Sequence, residues 1–134
     1  MASTAGGAFG FASGLIIQEF GYDVDVDETL RQAVEAETGT TLVDEDYEDV
    51  ADSAIVWWRD DDGDVDDLTD LLVDAQANLD GAGLIWVLTP KARTTGAVQA
   101  AEVEEAAATA GMHATSAASM WQHWSGIRVS SRGR

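Results

Sequence analysis

The stretch 79–91, LDGAGLIWVLTPK, limits the possible folds more than any other part of the chain. Asp80, Gly81, Ala82 and Gly83 read as a turn, because glycine adopts φ > 0 without the steric penalty other residues meet. Leu84, Ile85, Trp86, Val87 and Leu88 then form an unbroken apolar run, the pattern of a strand covered on both faces. Pro90 ends it, having a fixed φ and no N–H for a ladder.

A second apolar run, Ala54, Ile55, Val56, Trp57 and Trp58, reads as another central strand, broken by Asp60-Asp61-Asp62-Gly63-Asp64. Between the runs, Val65, Leu68, Leu71, Leu72, Ala75 and Leu79 form an amphipathic stripe, which predicts a helix over about 65–79. Asp66, Asp67 and Asp70 lie near its start, where the helix dipole favours anions. Upstream, 1–12 is rich in small residues and is read as a mobile end. Leu15-Ile16-Ile17 is a short strand candidate closed by Gly21. Asp25 or Asp27 caps a helix over 28–37 that carries Leu30, Ala33 and Val34 and stops at Gly39. Thr41-Leu42-Val43 reads as a brief strand. Downstream come the loop 91–96, an Ala-rich helix over 99–110, and strands over 112–119 and 126–131 around Met120-Trp121-Gln122-His123-Trp124.

This alternation implies a single three-layer, Rossmann-like α/β domain over 13–132, following a flexible tail over 1–12. Its sheet is expected to be mostly parallel, with strands 53–58 and 84–89 adjacent, parallel and central. The last two strands are joined too briefly for a crossover, so they form an antiparallel hairpin.

The charge balance narrows the partners. Among 134 residues, 25 are acidic and 7 basic, a net charge of -18. That argues against nucleic acid, which requires a basic footprint, and against anionic membrane surfaces. It suits solubility, a basic protein partner or a salty cytoplasm. The acidity is concentrated: residues 44–74 hold fourteen acids against Arg59, a net of -13, whereas 91–134 has a net of +2. The absence of cysteine excludes disulfides, thiolate metal sites and a thiol nucleophile. No apolar run is long enough to span a membrane, and residues 1–17 lack the cationic start of a signal peptide. A cytoplasmic setting is therefore expected.

Chemical motifs are sparse. A calcium loop over 58–69 would want oxygen ligands at its first and twelfth positions, which are Trp58 and Thr69. The tract is read instead as a solvated turn leading into helix-start acids. His113 falls in a predicted strand, where packing is the simpler role. His123 lies between Trp121 and Trp124 without a serine motif or paired carboxylate. The glycines of 5–10 precede the first strand and so lack the strand–loop–helix context of a phosphate cradle. No catalytic residue, metal ligand or cofactor is assigned. Open α/β sheets hold ligands beyond the C-terminal ends of their strands. There, Trp58, Arg59, Lys91, Arg93, His123 and Trp124 form the candidate partner- or ligand-binding set, with Trp58 and Trp86 as possible walls of one pocket. The bland alternative is buried tryptophans beside solvated cations.

Several blocks together, Gln18-Glu19-Phe20-Gly21-Tyr22-Asp23, Leu42-Val43-Asp44-Glu45-Asp46-Tyr47, Trp57-Trp58-Arg59, 83–91, 110–115 and 124–128, resemble the actinobacterial family called domain of unknown function 3052. The resemblance covers about 9–132 and implies a bacterial protein, without an activity. The order of elements from 53 onward also resembles the second half of a class I methyltransferase. Such enzymes hold S-adenosylmethionine with a glycine loop after their first strand; here that position offers one glycine, Gly21. Two functions are thus in play. One is a non-catalytic interaction or regulatory module on a methyltransferase-like scaffold. The other is a small nucleotide- or S-adenosylmethionine-binding enzyme using the strand-end crevice. Fold alone does not choose between them.

Overall fold

A computed structural model describes residues 9–91, 93–118 and 123–131. Strands β1 (Ile17–Phe20), β2 (Ala51–Trp57), β3 (Leu79–Pro90), β4 (Met112–Ala118) and β5 (Trp124–Ser131) form one sheet in the order β1-β2-β3-β5-β4. The helices are α1 (Glu28–Thr38), α2 (Val65–Ala77) and α3 (Ala100–Thr109). β2 pairs in parallel with β1 and β3, while β5 runs antiparallel to β3 and β4. The two long apolar runs are therefore adjacent, parallel and interior, as their sequence predicts.

Their unbroken apolarity has a direct cause. Ala54, Val56, Ile85 and Val87 pack with Leu68 and Leu72 of α2 and Val103 of α3. Ile55, Trp57, Trp86 and Leu88 pack with Leu30 and Val34 of α1. Side chains alternate across a strand, so covering both faces requires apolar residues at every position.

The helix ends follow local chemistry. Asp27, not Asp25, caps α1 by accepting from the Leu30 N–H, and Gly39 ends the helix at φ +75°. Asp64 and Asp67 cap α2 reciprocally.

Several expectations need correction. Phe9 and Phe11 are buried in the core beside α1, so residues 9–11 are anchored and are not flexible tail. Their N–H groups donate to the Glu37 carboxylate, and Trp86 Nε1 donates to the Phe9 carbonyl at 2.8 Å. Small-residue composition hid these two aromatic anchors. Residues 1–8 lie outside the described residues, as do Ser119, Met120, Trp121 and Gln122. The first strand lies at Ile17–Phe20 instead of 15–17, because Gln18 and Glu19 are buried with satisfied polar groups. Residues 41–43 contribute one bridge, Val43 to Gln18, and no strand. The Asp80–Gly83 turn is absorbed into β3 as a register jump between the pairs Ala51↔Leu79 and Ser53↔Leu84. A Cβ on Gly83 would collide with the Leu79 side chain, so this glycine permits close packing.

Candidate functional site at the strand ends

β1, β2 and β3 all finish on one edge of the sheet, and antiparallel β5 begins there. Trp124 stands opposite Pro90, and the Lys91 N–H donates to the His123 carbonyl at 3.0 Å. The topology thus brings Arg59, Lys91, His123 and Trp124 to a common edge.

Arg59 is the centre of that edge. Its guanidinium donates to Asp25 through Nε at 3.0 Å and Nη2 at 2.6 Å. Nη1 donates to the Gly21 carbonyl at 2.9 Å and lies 3.3 Å from Asp62 Oδ2. The same group sits 5.4 Å from the Trp124 ring centroid. Burial alone pulls the Arg59 pKa down, but its hydrogen bonds to Asp25 and Asp62 outweigh that and raise it. The hydrogen bond from Arg59 holds the Asp25 carboxyl below the usual carboxylate range.

A second charged cluster lies next to it. Glu19, 5% exposed, accepts from Arg31 Nε at 2.7 Å, Arg31 Nη2 at 2.8 Å and Trp57 Nε1 at 2.8 Å. Arg31 lies 4.9 Å from the Tyr22 ring centroid, and its pKa is raised chiefly by the Glu19 hydrogen bond. Trp57 meets Trp124 edge-on, with centroids 4.8 Å apart. The two ion-pair clusters lock the ends of β1 and β2 together.

Of the expected site residues, Trp58 and Trp124 are buried and offer no open aromatic patch. Trp58 and Trp86 pack in the clusters on opposite faces of the sheet, so they cannot wall one pocket. Arg59 is buried and paired, Lys91 half-buried, and Arg93 and His123 exposed. Arg93 has φ +72°, a left-handed value unusual for a side-chain-bearing residue. His113 is exposed on β4, which replaces the packing role expected of it. Sequence reasoning missed Glu19 and Arg31, and it named Asp25 only as a helix-cap candidate, not as the partner of Arg59. Their one local signal was polar residues beside an apolar strand candidate.

The Asp25 pair makes a pH prediction. Its folded pKa lies below the unfolded value of about 3.9, so its stabilisation is present above that pH and is lost as pH falls through the folded value. The difference in melting temperature between wild type and Asp25→Asn should be largest near neutrality and shrink below about pH 4. An undiminished difference at low pH contradicts the assignment.

The acidic tract makes another. Among the described residues, Asp62 is the one acid of 44–74 held in an ion pair. Screening at ~10 Å in 0.1 M salt should relieve the mutual repulsion. The melting temperature should rise by several degrees up to about 0.5 M NaCl. A flat or falling curve contradicts this.

In the sheet, the antiparallel strand β5 lies between β3 and β4. Magnesium protoporphyrin IX methyltransferase (ChlM) from Synechocystis PCC 6803 superposes with a TM-score of 0.56 at 9% identity, over 89% of this chain and 71% of that one. A methyltransferase from Pyrococcus furiosus gives 0.55 at 11%, over 89% and 76%. The pyocyanin biosynthetic protein PhzM gives 0.60 at 11%, over 89% and 51%. These similarities define a Rossmann-like methyltransferase fold and carry no activity with them. By sequence, the chain belongs to the family described as protein of unknown function (DUF3052), whose model matches residues 6–133. Uncharacterized proteins of Mycobacterium tuberculosis and Mycobacterium bovis are 46% identical over 114 residues, covering 85% of this chain and 70% of theirs. Among the described residues, no helix is long and apolar enough to cross a membrane.

Proposed function

We propose that the protein is a non-catalytic interaction or regulatory module on a reduced class I methyltransferase sheet. One observation carries this reading. Where an open α/β sheet would receive a ligand, Arg59 fills the edge and is engaged with Asp25, Asp62, the Gly21 carbonyl and Trp124. The glycine at the end of β1 supports the same reading. A Cβ on Gly21 would strike the Trp57 carbonyl oxygen, so this glycine serves packing between strands and not a cofactor's approach. The net charge of -18 favours a protein partner with a basic surface over nucleic acid or anionic membrane. A cytoplasmic location goes with this reading.

Calorimetric titration with S-adenosylmethionine, S-adenosylhomocysteine, ATP and GTP tests the proposal. No saturable binding tighter than about 1 mM is expected. Saturable binding of any of them below about 100 μM overturns it in favour of a cofactor-binding enzyme.

A further inference from the structure

We infer that a groove between α2 and the segment 44–47 docks an extended basic peptide of a partner protein, with apolar side chains alternating between its cations. This rests on the interaction-module reading and names the partner's chemistry. Two clefts of about 370 and 290 Å³ share Glu45 and Leu71 as lining residues and so adjoin along the groove. Half-buried Leu71, which lines both clefts, gives the groove its apolar floor, with only the edges of the core residues Phe20 and Trp58 beside it, and the paired Arg59 and Asp62 close the end nearest the strand ends. Exposed Glu45, Asp46 and Asp74 line its sides. Tyr22, 55% exposed, lines its far part.

Charge complementarity selects the occupant. Among the described residues, the ion pairs engage Glu19, Glu28, Asp25 and Asp62 with Arg31 and Arg59, and none neutralises Glu45, Asp46 or Asp74. An apolar floor between unneutralised carboxylates fits a chain with both character types. In an extended chain, successive side chains point to opposite faces, so apolar residues can face the floor while arginines reach the acidic rim. A small free cation would use the acids and leave the floor wet. A nucleic acid would be repelled.

The test uses the full chain at about 0.15 M NaCl, where non-specific attraction is screened. The probes are a fluorescein-labelled peptide of alternating arginine and leucine and an oligolysine of the same charge, both followed by anisotropy. The arginine–leucine peptide is expected to bind at least about ten-fold tighter than oligolysine. The double change Glu45→Gln with Asp74→Asn should weaken it at least about ten-fold, whereas Glu102→Gln with Glu104→Gln, which removes the same charge from α3, should change it less than about two-fold. These four side chains are exposed, so the folds should persist. As a milder variant, Asp74→Asn alone should give an intermediate loss. Equal losses from the two pairs, equal affinity for oligolysine, or no saturable binding overturns the groove. The cofactor titrations stand apart from this test. Saturable S-adenosylmethionine binding defeats the module reading, while a failed peptide assay without cofactor binding defeats the groove alone.

Discussion

Replacing Arg31 by methionine is expected to lower stability by about 3 kcal/mol, measured by urea unfolding at neutral pH and low salt. The reason lies in Glu19, which is 5% exposed and sits within β1 between Arg31 and the indole of Trp57. Methionine keeps most of the aliphatic stem but removes the two guanidinium hydrogen bonds to Glu19 and the one to exposed Glu28. Breaking a buried ion pair by removing one partner costs about 3–5 kcal/mol, because the remaining charge is left uncompensated. The lower end applies here, since Arg31 is 24% exposed and water can reach part of the site. Loss of the cation–π contact with Tyr22 adds at most about 1 kcal/mol. The double variant Arg31→Met with Glu19→Gln should recover more than half of the loss. Glutamine can still accept from Trp57 Nε1, and no buried charge is left alone, since Glu28 is exposed to water. A loss below about 1 kcal/mol for Arg31→Met would show instead that solvent already screens the pair.

The contrast between Glu19 and the apolar runs explains which parts of this fold were legible in the sequence. Strands β2 and β3 were readable because burial on both faces forces a continuous apolar pattern. The helices were readable because their signals are local: Asp27 reaches Leu30 three residues away to start α1, and α2 carries its apolar stripe within one segment. The strand-end chemistry is not local. Arg59 finds Asp25 across 34 positions, Trp57 finds Glu19 across 38, and Asn78 finds Gln18 across 60. No periodicity carries such pairings, so polar residues in β1 pointed away from a strand when they are its buried connections. Arg59 and Trp124 were placed at the correct edge by topology. Topology could not say that Arg59 would lie over the Trp124 ring, nor that it would be paired with Asp25.

Gly21→Ala is expected to destabilise the protein by about 3 kcal/mol, from two separable causes. The first is conformational. Gly21 has φ +77°, and a side-chain-bearing residue in the left-handed region pays about 1–2 kcal/mol. The second is steric. A Cβ at this position would meet the Trp57 carbonyl oxygen at far less than contact distance, and that neighbour is rigid backbone. The end of β1 would have to move away from β2, adding about 1–3 kcal/mol of strain. It would also carry the Gly21 carbonyl away from Arg59 Nη1. Gly39→Ala provides the comparison: φ there is +75°, but nothing lies within 4 Å of the added Cβ, so only the conformational cost applies. Urea unfolding of the two variants should therefore separate them by at least about 1 kcal/mol, with Gly21→Ala the less stable. Equal losses would mean that β1 yields freely at its end. In that case Gly21 is not fixed by packing against Trp57, and the strand-end edge is open enough to admit a ligand after all.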